Sequence, residues 1–430
     1  MIGPADYLPR IVDLELDELL PALPAIALEG AKAVGKTRTA LMRARTVHRL
    51  TTPGEFAVIE ADPARLVALE EPPVLIDEWQ RLPQAWDLVR DAVDAGAPAG
   101  QFLLTGSAAP LEQPVHSGAG RIVSIRMRPL ALSERQLGGP TVSLARLLTG
   151  EVPPIDGETS VRLEDYVEEI LASGFPAIRQ LPERARRLQL DSYLDRVIDR
   201  DFEEVGQRIR NPAALRRWMA AYAAASSTSA SFETIRHAAT GGSKGQDAPA
   251  KQTGLAYRDA LERLWLVEPV LAWFPSRNHI SRLSAPPKHQ LVDPALAARL
   301  LGVDADALLS GRQIGPPVPR DGTMLGGLFE SLVTLGLRVS AQQSEAKVKY
   351  LRTFSGDHEI DLIVERADGR IIAVEVKLAR TIDDYDVRQL NWLAGRVGDE
   401  LLDRVVVSTG QTAYRRRDGI AVVPAALLGP

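Results

Sequence analysis

The chain has 430 residues, 45% hydrophobic and 25% charged, which is enough for several buried cores at about 150 residues per domain. Lys and Arg number 51 against 56 Asp and Glu, a net charge of −5 that excludes coating of nucleic acid by bulk charge but leaves room for a local basic groove. The absence of cysteine excludes disulfides, zinc ribbons and thiol catalysis. The acidic start, MIGPADYLPRIVDLELDELL, lacks the basic and apolar regions of a signal peptide, and no apolar run reaches the roughly 18 residues of a membrane span. The expectation is a soluble, cytoplasmic protein with no membrane partner.

Residues 1–140 alternate apolar runs with helical stretches, which predicts an α/β domain with a parallel sheet and flanking helices. The strands fall at Ala25–Leu28, Phe56–Ile59, Val74–Ile76, Phe102–Leu104 and Ile122–Met127. Between the first of these and a helix expected over Thr37–Leu50, Gly30-Ala-Lys-Ala-Val-Gly35-Lys36-Thr37 has the P-loop spacing G-x-x-x-x-G-K-[ST]. Gly30 and Gly35 let backbone N–H groups curl round a phosphate, and the helix N-terminus adds partial positive charge. Lys36 is then placed for the β- and γ-phosphates and Thr37 for Mg²⁺, so the implied ligands are ATP and Mg²⁺.

Further along, Pro73-Val-Leu-Ile-Asp77-Glu78 ends a core strand with two carboxylates. Asp77 suits the Mg²⁺ hydration shell and Glu78 a general base on water. Thr105 and Ser107, at the end of Phe102–Ser107, read either as γ-phosphate or water contacts or as a plain strand-end turn. Arg121 reads as an arginine finger from a neighbouring subunit of a homo-oligomer, with Arg126 and Arg128 as competitors, or as a structural ion pair.

Leu137-Gly-Gly-Pro and Gly150–Gly157 read as a linker to a mostly helical region, 160–302. There Arg184–Val205 and Ala213–Ala225 show apolar spacing near 3.6, and Ala239–Thr253 reads as a flexible loop. The stretches beginning at Ser231 and Gln252 look like two helices of a winged helix-turn-helix. Lys251, Arg258 and Arg263 are available for phosphates, but Asp259 and Glu262 nearly cancel them. A second Pro/Gly stretch, Gly311–Gly322, precedes the last domain, 320–430. Two strands joined at Asp368-Gly369 carry Asp361 on one and Glu375 and Lys377 on the other, with Glu330 on the helix Leu325–Leu337 before them. Those residues read as a site for a second Mg²⁺ or Mn²⁺ with Lys377 beside it, or as an exposed hairpin with a cross-strand Glu–Lys pair. Arg415-Arg-Arg417 reads as a solvated loop.

Taken together, Tyr7–Arg10, Gly30–Thr37, Ile76–Gln80, Leu104–Ser107, Gly120-Arg121 and Pro129–Glu134 resemble a widespread group of bacterial and archaeal AAA-type P-loop ATPases. So do Gly174–Pro176, Arg200-Asp201, Lys288 with Asp293, Phe329-Glu330, and Asp361 with Glu375-Val-Lys377. The group joins its ATPase domain to a C-terminal domain of unknown function with a restriction-endonuclease-like core. The last residue set resembles the PD-(D/E)xK pattern. The resemblance implies ATP hydrolysis and a metal-dependent phosphodiesterase core acting on DNA, or the same core kept as a binding or structural module under a regulatory ATPase. One departure stands in the phosphate loop, where Lys32 replaces the group's usual Arg and loses the fork geometry.

Overall fold

The computed structural model describes residues 7–68, 70–107, 118–240, 249–274, 286–310, 324–353 and 356–430. Its first sheet is parallel throughout and runs in the order β2-β3-β4-β1-β5. The strands are β1 (Ala25–Glu29), β2 (Thr46–Arg49), β3 (Val74–Asp77), β4 (Phe102–Gly106) and β5 (Val123–Arg126). The near-continuous apolar, buried runs of the central strands β1, β3 and β4 suit a parallel sheet covered on both faces. Because β4 lies between β1 and β3, Thr105 pairs in register with Leu28 on one side and Asp77 on the other. The strand ends therefore bring the phosphate loop, Thr105 and Asp77 to one edge.

Two expectations fail in this domain. Phe56–Ile59 is helical, inside Pro53–Ala61, where Pro53 supplies the fixed φ suited to a first helical turn. The helix after the phosphate loop stops at Leu41, and Thr46–Arg49, expected to continue it, forms the edge strand β2. The β-branched pair Thr46-Val47 favours that outcome.

In the middle region, the helix Glu183–Arg196 runs into a π-helical turn, Val197–Asp201, and a short helix, Phe202–Glu204. Helices Pro212–Ala224, Phe232–Ala238 and Lys251–Arg263 follow, then antiparallel bridges Val267↔Leu291 and Val270↔Lys288. Most of the expected flexible loop lies outside the described residues, although its last part, from Lys251, is helical. The Gly311–Gly322 stretch lies outside them too.

The second sheet has eight strands in the order β7-β13-β14-β12-β11-β10-β9-β8. Of its short strands, β7 (Gly157–Glu158) comes from the expected linker and β8 (Leu271–Ala272) from the middle region, while β6 (Val142–Ser143), also from the linker, lies in a separate two-stranded sheet. The rest are β9 (Lys347–Arg352), β10 (Glu359–Glu365), β11 (Ile371–Lys377), β12 (Leu401–Ser408), β13 (Thr412–Arg415) and β14 (Ala421–Pro424), with β15 (Leu428–Gly429) pairing β6. The linker expectation is thus corrected: β6 and β7 join C-terminal strands, because Thr141 and Thr159 backbone groups find partners there. Strands β9, β10 and β11 are antiparallel, and β11 runs parallel to β12 across the helix Arg388–Val397. Asp368-Gly369 makes the β10–β11 turn, with Gly369 at φ 87°.

The helix Met324–Gln343 packs on this sheet, its apolar residues joining Ile372, Val374 and Val376 in one core. Contrary to the sequence expectation, it is long and apolar enough to cross a membrane (mean hydropathy 1.2), but 72% of that window is buried inside the protein. It is a core helix. The Arg415–Arg417 expectation is also corrected: Arg415 forks onto buried Asp403 at 2.9 Å and Arg416 donates to the Ile382 carbonyl.

Candidate functional site

The phosphate loop is built by backbone that needs glycine. Gly30 has φ 153°, and a Cβ there would lie 2.1 Å from the Met127 carbonyl oxygen; Gly35 has φ 105°. The loop curls so that Lys36 Nζ donates to its own carbonyls, Gly30 O at 2.8 Å and Ala31 O at 2.9 Å. Lys36 is 5% exposed, and burial lowers its pKa to about 8 against the raising charges of Glu78 and Asp77. From outside the loop, buried Arg10 donates to Val34 O at 2.9 Å and pairs with Glu134, bracing the curl.

At the ends of β3 and β4 the polar side chains converge. Asp77 Oδ1 accepts from Thr37 Oγ1 and from Thr105 Oγ1, each at 2.6 Å. Thr105 Oγ1 accepts in turn from the Glu78 backbone N–H at 3.3 Å. Thr105 therefore positions the two acidic residues rather than pointing freely at a ligand. Glu78 sits at φ 59°, ψ 49°, a conformation costly for a residue with a Cβ, and its carboxylate accepts from Gln80 and from Ser107 at 3.3 Å. A hydroxyl and a carboxylate in contact are the hard-oxygen set that a hydrated Mg²⁺ takes, so Thr37 and Asp77 fit that ion.

The C-terminal residues also meet. Asp361 and Glu375 face each other across β10–β11, by continuation of the Leu362↔Val374 register. Asp361 Oδ2 accepts from the Val376 N–H at 2.9 Å, and Lys377 pairs with Glu375 at 2.9 Å. Buried Glu375 leaves Oε1 without a hydrogen-bond partner. Glu330 lies on the neighbouring helix. Between them stands a residue from another region: Lys288, 1% exposed, with Nζ 3.0 Å from Glu330, 3.2 Å from Glu359 and 3.5 Å from Asp361. Burial alone would lower Lys288, but Glu330, Asp361 and Glu359 outweigh it and raise it. Burial raises Glu330 to about 8 against the pull of Lys288. It also raises Glu375 well above the usual range, helped by Asp361, whereas Lys288 and Lys377 hold Asp361 below its own despite burial. Among the described residues no three His or acidic side chains form a group able to hold a metal ion.

Three comparisons bear on these sites. Residues 23–136 match the AAA domain family, and residues 163–307 and 325–428 match two domains of unknown function, DUF8612 and DUF4143. The first match spans the phosphate loop and the Asp77–Glu78 pair. Residues 23–136 are a AAA-type P-loop ATPase domain. Over 418 residues the chain is 27% identical to two uncharacterized proteins, Mb2031c of Mycobacterium bovis and Rv2008c of Mycobacterium tuberculosis, spanning 95% of this chain and 82% of each relative. Among solved structures it is similar to the Walker-type ATPase paby2304 of Pyrococcus abyssi, at 16% identity and TM-score 0.40, covering 69% of this chain and 97% of that one. It is also similar to the replication initiator DnaA bound to AMPPCP and single-stranded DNA, at 13% identity and TM-score 0.25, covering 61% of this chain and 89% of that one.

The AAA-type domain is wired to the other regions by Lys32, Arg126 and Arg128, whose partners the sequence does not indicate. Lys32, in the phosphate loop, donates to Asp201 and Glu204 of the middle region at 2.7 Å each. Arg128 forks onto Glu268 at 2.7 and 3.0 Å and donates to Gln342 of the long core helix at 2.6 Å. Arg126 meets the same Glu268 at 3.1 Å and stacks on Trp265. Burial of Glu268 is outweighed by Arg128, Arg338 and Arg126, which hold it well below the carboxylate range. Arg126 and Arg128 are thereby committed within the chain. Arg121 of the AAA-type domain is half exposed and pairs with Asp94 at 2.8 Å. Two of the three basic residues expected to meet phosphates in the middle region are engaged too, Arg258 with Asp259 and Glu262 and Arg263 with the Val205 carbonyl, while Lys251 is exposed.

Proposed function

We propose that this chain binds and hydrolyses ATP with Mg²⁺, and that the nucleotide cycle sets how the AAA-type domain engages the middle and C-terminal regions. The observation that carries the reading is the convergence of Thr37, Asp77, Thr105 and Glu78 beside the phosphate loop that holds Lys36. Lys36 would exchange two loop carbonyls for phosphate oxygens, and the loop N–H groups would complete the cradle. Glu78, held by Gln80 and Ser107, would take the proton of the attacking water. Bound Mg²⁺ would neutralise phosphate charge beside Thr37 and Asp77. Arg121, exposed and outside the cluster, is available as a finger to a second copy. A cytoplasmic location, where ATP is supplied, is part of the same proposal.

For the C-terminal region we propose a restriction-endonuclease-like core. Its support is the succession of helix, three antiparallel strands, helix and parallel strand, with Glu330, Asp361, Glu375 and Lys377 brought together. The middle helices followed by antiparallel bridges suit a winged helix, and its engaged arginines favour contacts within the chain over DNA. Two outputs follow. In one, Glu330, Asp361 and Glu375 hold a second Mg²⁺ or Mn²⁺ and the core cuts DNA. In the other it is a regulatory module without cleavage, and the Lys288 ammonium among the carboxylates favours this second reading. The deciding experiment incubates the protein with supercoiled and linear DNA in Mg²⁺ or Mn²⁺, with and without ATP, beside Asp361→Ala. Cleavage by the wild type alone supports the nuclease output; intact DNA in every arm, with ATP turnover confirmed, supports the switch.

A further inference from the structure

The phosphate loop is gripped by a residue that lies before the first sheet begins. Arg10 immediately precedes the helix Ile11–Leu19 and is buried, and its guanidinium reaches three places. Nη1 donates to the Val34 carbonyl at 2.9 Å, Nη2 to the Arg128 carbonyl at 2.8 Å, and Nε to Glu134 Oε1 at 3.0 Å. Glu134, buried as well, accepts from the Ile11 and Ala131 N–H groups at 2.7 Å each, so its carboxylate is fixed by backbone. Arg128 is fixed in turn, with its side chain on Glu268 and Gln342. Both anchors of the guanidinium outside the loop are therefore held from elsewhere in the fold.

Val34 is the loop residue just before Gly35. A trans peptide is planar, and its C=O and N–H point to opposite sides. Because Arg10 takes the Val34 carbonyl from the buried side, the Gly35 N–H is turned the other way, to the side on which a phosphate loop receives its anion. The backbone just before it needs such a hold. Ala33 has φ 68°, a left-handed conformation adopted here by a residue with a Cβ, between Gly30 and Gly35. Strain of that kind persists where the surroundings over-determine it, and a charged donor on the next carbonyl supplies that constraint.

We propose that Arg10 is a positioning residue for nucleotide binding: it pins the Val34–Gly35 peptide so that the Gly35 N–H is set for a phosphate before one arrives, and it does so without touching the nucleotide. The inference rests on reading Gly30–Thr37 as the ATP site. A donor set in advance spares the ordering that a slack loop would undergo on binding, so its effect falls on affinity. Loop N–H groups cradle the α- and β-phosphates, which ADP and ATP share, so both nucleotides feel it alike. The hydrolytic step, served by Glu78, does not depend on it.

The test titrates full-length protein with ADP and with ATP, then follows phosphate release over a range of ATP concentrations. Arg10→Gln should weaken both nucleotides by the same factor, about 10-fold, as for the loss of one charge-assisted hydrogen bond. KM should rise with it, and saturating ATP should restore most of the turnover. Arg10→Lys keeps the charge without the fork and should recover only part of the affinity. Arg10→Gln leaves Glu134 a buried carboxylate without its partner, so Arg10→Met combined with Glu134→Gln is made alongside. Removing both charges together spares the fold that penalty and should show the same loss of affinity. A loss confined to ATP would overturn the proposal, as would turnover lost at saturation with affinity intact, or folded variants that bind both nucleotides like the wild type. A wild-type chain that binds neither nucleotide would instead end the ATP reading and the positioning role with it, so the two failures are told apart in the first titration.

Discussion

Lys36 and Lys288 are both buried, 5% and 1% exposed, yet burial lowers the first while three carboxylates raise the second. Lys36 donates to two neutral carbonyls of its own loop, whereas Lys288 donates into a set of negative charges. Neutral contacts of that kind can be exchanged for an anion at little cost, because the ammonium gains a charged partner it lacked. A buried charge already matched by carboxylates gains nothing from another anion, and removing it leaves those carboxylates uncompensated. The first arrangement favours exchange for an incoming anion; the second is a joint already filled.

The contrast is broken or sharpened first at Glu78, where the largest effect is expected. Glu78→Gln should keep ATP affinity while turnover falls by about 10²–10⁴-fold, the usual contribution of a positioned base. Phosphate release under saturating ATP measures it, and wild-type turnover would remove Glu78 from that role. Next comes the lysine pair itself. Lys36→Ala should weaken ATP binding by about 10–100-fold, from the loss of charge-assisted hydrogen bonds worth about 1.5–3 kcal/mol, while thermal stability stays level or rises. Lys288→Ala should instead cost about 3–5 kcal/mol of stability and leave ATP affinity in place. Equal Tm losses for the two variants would erase the distinction.

A smaller effect lies in pH. The Lys36 pKa is lowered to about 8, and bound phosphate would raise it, so ATP favours the protonated form. Affinity should be flat below pH 8 and fall about tenfold per unit above it, until the pKa of the bound state is reached. Titrations between neutral and alkaline pH would show that slope in the wild type and none in Lys36→Ala.

The two sites also differ in how far the sequence exposes them. The phosphate loop is contiguous, and its glycines, Lys36 and Thr37 do their work within eight residues, so spacing alone locates them. Asp77 and Glu78 are legible as the charged end of an apolar run. The hairpin carrying Asp361, Glu375 and Lys377 is local as well, since antiparallel neighbours joined by Asp368-Gly369 align by a short register. The partners that decide what these groups do are long-range. Lys288 meets Asp361 from 73 residues away, and Lys32 meets Asp201 across 169, pairings that no periodicity encodes. Lys288 and Asp201 are among the residues that carry the resemblance, which was the available signal, but nothing local says what either touches. Strand β2 was missed because a helix-period reading ran on past Leu41, and β6 and β7 because two-residue strands leave no pattern and are called up by an edge far along the chain.

The smallest expected effect concerns Lys32, the residue that joins the phosphate loop to the middle region. Its ammonium sits between Asp201 and Glu204 at 2.7 Å, with the lysine and Glu204 side chains 35% and 50% exposed. Asp201 itself is buried, but water reaches Lys32 and Glu204 and screens the link toward the roughly 0–1 kcal/mol of exposed pairs, so a bound phosphate is able to compete for the same charge. Asp201→Asn should therefore tighten ATP binding by no more than about fivefold, because Lys32 is freed toward the loop. In a Lys32→Met background the same substitution should leave ATP affinity unchanged, since the shared charge is gone. Nucleotide titrations of the four proteins close that cycle. Equal effects of Asp201→Asn with and without Lys32 would mean that Asp201 acts by packing the π-helical turn at Val197–Asp201, and the phosphate loop would then feel the middle region by some route other than this lysine.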